Sequence, residues 1–299
     1  MFRCTRYNAT NMNFTKMHGI GNDYVYINGF VERVDDPSAL AQKVADRHFG
    51  IGGDGLILIL PSTLADVRMR MFNADGTESE MCGNGVRCVA KYAFDHGLSK
   101  NNPMRIETGR GVLTLSLEIA NDKVQNITVD MGEPILELEK IPVRQSAVGR
   151  NAAFKKRSDY EYELAIEKYH AGTVATFVSM GNPHATFFVD DVKAIPLEQV
   201  GPAVEHYVAF PNRINAHWAQ IVSRDELIMR TWERGSGVTL ACGTGACAVV
   251  VASVLTGKTD RKVICHLPGG DLKIEWRQAD NHVYMTGPAT EVFSGQWNG

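Results

Sequence analysis

The sequence predicts an α+β protein made of a duplicated unit, in which short strands surround one central helix. Two observations carry that prediction. Strand-like segments alternate with few helical ones in the same order in both halves of the 299 residues. In each half a cysteine opens a glycine-rich helix start, Cys82-Gly83-Asn84-Gly85 and Cys242-Gly243-Thr244-Gly245. The length suits two domains or one large one, and 44% hydrophobic residues are ample for a packed core.

In the first half, residues 24–28 read as a strand. Asp36 as cap and Pro37 in the first turn then start a helix that runs to about Phe49. An apolar strand follows at 56–60. Over 66–73, Val67, Met69 and Met71 alternate with Arg68 and Arg70, the pattern of a half-buried strand. After Cys82, the apolar residues Val86, Val89, Ala90, Ala93 and Phe94 fall at helical spacing, and Gly97 is placed to end that helix. Residues 104–131 read as a series of strands.

The second half repeats the order. Hairpin-like strands follow Pro134, then strands at 173–179 and 185–189, a helix over about 197–207, and strands at 214–222 and 227–232. Beyond Cys242 comes a helix so apolar, from Ala246 to Ala252, that it is buried nearly all round, with Gly257 closing it.

Composition excludes several classes. A net charge of −3 gives no electrostatic case for binding nucleic acid or an anionic membrane, and Lys155-Lys156-Arg157 reads as a solvated loop. The apolar runs 56–60 and 249–255 are too short to cross a bilayer, and residues 1–12 hold no signal-peptide core and read as an extension. Six cysteines without a secretory signal argue for a reducing cytoplasm, and none stands at zinc-ligand spacing, so no metal is expected. Cys4, Cys88, Cys247 and Cys265 read as inert hydrophobes.

Gly50-Ile51-Gly52-Gly53-Asp54-Gly55 satisfies G-x-G-x-x-G, but it joins helix to strand where the dinucleotide fingerprint needs the reverse, so it reads as a turn. Asn73-Ala74-Asp75-Gly76 and Gly181-Asn182-Pro183-His184 also read as turns. Glu233-Arg234, a solvated ion pair on the bland view, precedes Cys242 by a short glycine-containing link, so both side chains can project near the thiol. The Cys-Gly-x-Gly starts differ in kind. Glycine in a helix costs up to about 1 kcal/mol, so its repetition signals close approach of backbone to something else. A helix N-terminus offers unpaired N–H groups and positive dipole, which lower a thiol pKa and hold an anion.

On these residues the chain resembles the diaminopimelate epimerase family. The resemblance runs from Phe14 to about Phe293 and includes Lys16-Met17-His18-Gly19-Ile20-Gly21-Asn22-Asp23, Phe72-Asn73-Ala74-Asp75-Gly76, Met131-Gly132-Glu133-Pro134, the Gly-Asn-Pro-His and Glu-Arg-Gly blocks, and both cysteine motifs. It implies two pseudo-symmetric domains, each a strongly curved, mainly antiparallel sheet around a central helix, with the active site between them. Domain one would be 13–131 plus 288–299, carrying Cys82, and domain two 132–287, carrying Cys242. It implies a cofactor-independent isomerase, interconverting LL- and meso-diaminopimelate in lysine and peptidoglycan precursor synthesis, and a homodimer with Phe293 near its contact.

The catalytic pair would be Cys82 and Cys242. Substrate would be held by Asn22, Asn73, Gly83, Asn84, Asn182, Asn215, Glu233, Arg234, Gly243 and Thr244, with His184 and Glu233 biasing thiol ionisation. Two departures stand out: Gly55 lies where some relatives place a ligand-contacting glutamine, and Val238 where relatives often carry glutamate. The nearest rival is a two-thiol racemase of the proline racemase type, which shares the fold but takes a cyclic imino acid. Asn73, Arg234 and the Gly-Asn-Pro-His block favour an acyclic substrate with a second charged end. A binding protein without turnover and a redox disulfide between the two cysteines are further alternatives.

Overall fold

The computed structural model describes residues 11–144, 154–166 and 173–299. Cys4 and most of the expected extension lie outside these residues, as does part of the segment after Pro134. The chain divides into two compact units, Met1–Ile127 with Pro288–Gly299, and Thr128–Gly287.

Among the described residues the first unit opens with β1 (Met12–Gly19), so Met12 belongs to a strand rather than to an extension. Next come β2 (Asn22–Asn28) and α1 (Pro37–Ala45). The Asp36 carboxylate accepts from Ala39 N–H at 3.0 Å and caps α1 as the sequence predicts. The helix stops at Ala45, short of Phe49. There Asp46 Oδ1 accepts from the N–H groups of His48 and Phe49 at 2.7 and 2.8 Å, and this side-chain turn competes with further helix.

β3 (Gly55–Leu60) and β4 (Val67–Asn73) follow, then β5 (Glu78–Ser79), α2 (Gly83–Asp95), β6 (Met104–Thr108), β7 (Gly111–Ala120) and β8 (Lys123–Asp130). In β4 the methionines and Val67 are buried while Arg68 is exposed, the expected alternation. Gly97 takes a φ of 76° just past α2, a left-handed end that suits glycine.

The second unit contains β9 (Phe154–Lys156), β10 (Tyr162–Leu164), β11 (Val174–Ser179), β12 (Pro183–Phe188), α3 (Leu197–Glu205), β13 (Asn215–Ser223), β14 (Glu226–Glu233) and β15 (Gly237–Thr239). α4 (Gly243–Leu255), β16 (Lys262–Leu267), β17 (Gly270–Trp276) and β18 (Val283–Pro288) complete it. The basic cluster is a correction. Lys155 and Lys156 lie in β9, paired with β10, and only Arg157 falls beyond it. Their heads are solvated, with Lys156 3.3 Å from Asp159 and Arg157 paired with Glu163.

Pairing follows one scheme in both units. β1 is antiparallel to β2, β2 parallel to β3, and β3 antiparallel to β4; β4 then pairs antiparallel with β5 and parallel with β6. β11 to β16 repeat this in the same order and sense. α2 packs on β1 to β4, β6 and β7, and α4 on β11, β12, β13, β16 and β17. Every residue of α4 from Ala246 to Ala252 is fully buried, as the all-round apolar pattern requires. The final strand, β19 (Thr290–Trp297), pairs antiparallel with β1, which makes the first unit discontinuous in sequence.

Candidate active site

Each conspicuous cysteine is the N-cap of its central helix. Cys82 caps α2 and Cys242 caps α4, both in extended backbone conformation. The short strands β5 and β15 bring the chain back along β4 and β14 to these caps. The glycines permit close contact there. A Cβ at Gly85 would sit 2.8 Å from Ile57 Cδ1, and one at Gly245 would sit 2.3 Å from His217 Cε1.

In the first unit, Cys82 is half-buried. Its sulfur accepts the Gly85 N–H at 3.4 Å and donates to Asn22 Oδ1 at 3.3 Å. Asn22 is aimed by Asp54, whose Oδ2 accepts from Asn22 Nδ2 at 2.7 Å, while Arg47 holds Asp54 Oδ1 at 2.9 Å. Arg47 also contacts Asp23, which pairs with Lys16 at 2.6 Å. Burial works against the Asp23 charge, yet Arg47 and Lys16 outweigh it and hold the carboxyl below its usual range. Asn84 is buried in the first turn of α2 and accepts from the fully buried Arg87, which also donates to Gly83 O. Asn73 ends β4, its amide donating to Thr77 Oγ1 at 2.9 Å.

In the second unit, Cys242 is buried, with Thr244 Oγ1 3.8 Å from its sulfur. Burial pushes this thiol well above its ordinary pKa, and the Glu233 carboxylate raises it further. Glu233 Oε1 accepts from Thr239 Oγ1 at 2.5 Å, and Val238 beside it is half exposed. Asn182 donates to Thr244 Oγ1 at 3.3 Å and contacts His184 Nε2 through Oδ1 at 2.9 Å. Asn215 Nδ2 donates to Pro183 O, and its Oδ1 accepts from Arg234 N–H at 3.0 Å. Arg234 is exposed, and one of its guanidinium N–H groups goes to Asn212 O at 2.9 Å.

The structure thus gathers Asn22, Gly83 and Asn84 around Cys82, and Asn182, His184, Glu233, Gly243 and Thr244 around Cys242. Asn73 ends β4 and Asn215 begins β13. Phe293 lies on β19, half exposed and packed edge-on to Phe14 with ring centroids 5.9 Å apart. At Gly55 a Cβ would lie 2.0 Å from Phe72 O, so this backbone admits no side chain there.

Sequence reading missed four residues that shape these surroundings. Asp54 and Thr239 hydrogen-bond to Asn22 and Glu233, and His217, fully buried under Gly245 of α4, is hydrogen-bonded to the buried Thr231. Asp54 stood inside a glycine turn with nothing to mark it. The only sign of His217 was a histidine between Ala216 and Trp218 in a predicted strand. No cluster of three or more metal-ligating side chains occurs among the described residues, and no described helix is long and apolar enough to cross a membrane.

Over 96% of its length the chain shares its fold with a phenazine biosynthesis protein of the PhzF family from Bacillus anthracis, at a TM-score of 0.70, 17% identity and 99% coverage of that chain. A probable proline racemase from Agrobacterium radiobacter matches over 96% of this chain and 92% of its own, with a TM-score of 0.62 and 13% identity. These define the class as the α+β fold common to PhzF proteins and such racemases. Sequence then narrows the class. The diaminopimelate epimerase family model matches residues 14–137 and 176–292, spanning both cysteines. A diaminopimelate epimerase of Acetivibrio thermocellus is 53% identical over 285 residues, 95% of this chain and 98% of that one. The chain belongs to the diaminopimelate epimerase family of isomerases.

Proposed function

We propose that the protein interconverts LL-2,6-diaminopimelate and meso-diaminopimelate by two-base proton transfer at one α carbon, in the route to lysine and peptidoglycan precursors. The reading rests on one observation: two cysteines, each capping a glycine-started central helix, in a chain 53% identical to a diaminopimelate epimerase over 95% of its length.

One thiolate takes the Cα proton; the C–H electron pair stays on carbon and spreads into the adjacent carboxylate. The other thiol then gives its proton to the opposite face, and the two sulfurs have exchanged charge states. The carbanion needs stabilisation only as it forms, and backbone N–H groups of Gly83, Asn84, Gly243 and Thr244 at the two helix starts are suited to supply it. Burial and Glu233 favour Cys242 as the thiol before substrate arrives.

Asn22, Asn73, Asn182, Glu233 and Arg234 would bind substrate polar groups, with the guanidinium gripping the distal carboxylate. Asn215 would contribute by fixing the Arg234 backbone. His184, buried and neutral, would act through hydrogen bonds rather than charge. We further propose a cytoplasmic homodimer that binds neither nucleic acid nor membrane, with Phe293 and Val292 of β19 buried by the second copy.

The test is incubation with LL-diaminopimelate in D2O. Deuterium entering one α position together with appearance of the meso isomer supports the reading. Deuterium entering proline alone would instead identify an imino-acid racemase. Sedimentation of the protein and of Phe293→Glu tests the dimer.

A further inference from the structure

The common pairing scheme sets each buried residue of one unit against a counterpart in the other. Tyr24, Ile57, Met71 and Gly85 match His184, His217, Thr231 and Gly245, each pair separated by the same number of residues as Cys82 and Cys242. The registers agree: Ile57 faces Met71 across β3 and β4, and His217 faces Thr231 across β13 and β14. In the first unit, the residue under the glycine of the helix start is thus an ordinary apolar side chain. In the second it is a histidine with no solvent exposure, joined to a second such histidine and to a threonine. Burying polar groups where an apolar pair suffices is costly unless each of them is hydrogen-bonded.

Those hydrogen bonds have one direction. Asn182 donates through Nδ2 to Thr244 Oγ1, so its Oδ1, 2.9 Å from His184 Nε2, accepts and the proton lies on that nitrogen. Burial above all, with the Arg234 charge adding to it, holds His184 neutral, which leaves Nδ1 bare to accept from His217 Nε2 at 2.9 Å. His217 is likewise neutral, its pKa pushed down to about 3 by burial, so its Nδ1 accepts the Thr231 hydroxyl at 3.0 Å. At the far end, Thr244 Oγ1 accepts the Asn182 hydrogen bond, which leaves its own hydroxyl hydrogen for the Cys242 sulfur 3.8 Å away.

We propose that His217 is a positioning residue: with Thr231 it fixes the tautomer of His184, so that Asn182 turns its NH2 to Thr244 and the Thr244 hydroxyl points at Cys242. His217 touches no reacting atom. Its effect is to keep a hydrogen-bond donor trained on the sulfur when Cys242 carries the negative charge. The counterpart chain cannot exist in the first unit, where Ile57 and Met71 offer no donors, so the two thiols are served differently.

The catalytic half of this inference rests on the epimerase reading; the hydrogen-bond half does not. In 15N-histidine-labelled protein, imidazole shifts should show both His184 and His217 as Nε2–H tautomers at neutral pH. A Nδ1–H form of either would overturn the proposal. His217→Phe, which keeps a ring beneath Gly245, should release the His184 tautomer. It should also lower kcat on diaminopimelate roughly tenfold or more, with KM changed less than about threefold. His217→Gln retains a donor toward His184 and should recover most of that loss. Unchanged kcat in a folded His217→Phe protein, or no recovery with glutamine, would refute the positioning role. Should the wild type fail to epimerise diaminopimelate at all, the function is wrong, while the tautomers still decide the hydrogen-bond chain.

Discussion

Cys82 and Cys242 differ in their surroundings more than their shared motif suggests. Cys82 is half-buried against Asn22 and the Gly85 N–H, whereas Cys242 is buried and shares its site with the Glu233 carboxylate. Replacing either by alanine should lower epimerisation by at least roughly a hundredfold, the scale of losing one acid or base, measured as deuterium exchange and isomer conversion. Glu233→Gln removes the second cause of the raised Cys242 pKa and leaves the first, burial. Alkylation of Cys242, followed peptide by peptide by mass spectrometry, should then rise at lower pH than in the wild type. An unmoved profile would mean that the carboxylate does not act on the sulfur. At this scale the thiols, asparagines and Glu-Arg pair were legible in the sequence because their residue types and spacing are unusual. His217 was not, because its meaning depends on which strand lies beside it.

Among the elements, the two central helices were legible from cap, glycine and period, and the strands from alternation. The short strands β5 and β15 were not, since two or three residues carry no period; they exist because β4 and β14 offer a free edge. The end of α1 was also missed, as the Asp46 side chain decides it locally. The helix starts themselves make a differential prediction. Gly85→Ala meets a movable isoleucine methyl, so strain should roughly cancel the gain of up to about 1 kcal/mol from replacing a helical glycine. Gly245→Ala meets the His217 ring, which hydrogen bonds hold at both nitrogens, and Cys242 Sγ at 3.0 Å. It should cost about 1–3 kcal/mol, read from urea unfolding of the two variants side by side. Equal stability of the two would show that the histidine ring moves freely.

For the molecule as a whole, the same strand scheme supports two cores of different polarity, and the difference should appear as acid sensitivity. His184 and His217 are neutral in the fold, with pKa values pushed below 6.5 by burial, but ordinary bases in the unfolded chain. Below pH 6.5 the unfolded state therefore binds protons that the folded state refuses, and stability must fall as pH falls. For each histidine the slope rises toward about 1.4 kcal/mol per pH unit below its unfolded value, so the pair should cost roughly 3 kcal/mol between pH 6.5 and 5. Two other histidines act in the opposite sense. His266, held by Asp271 and Glu226, and His282, held by Asp130, bind protons more tightly in the fold and gain stability as pH drops. Both lie near solvent, where screening keeps their effect small. Carboxyls with lowered values, such as Asp23 and Glu205, lose their contribution only as pH falls below about 5, outside the window. Urea midpoints at pH 7.5 and 5.0 should thus diverge strongly in the wild type. They should diverge about half as much in His217→Gln, which removes one of the two buried bases. A wild-type midpoint that stays level across this range would show that the two histidines are not held neutral, and the directed hydrogen bonds toward Cys242 would lose their basis.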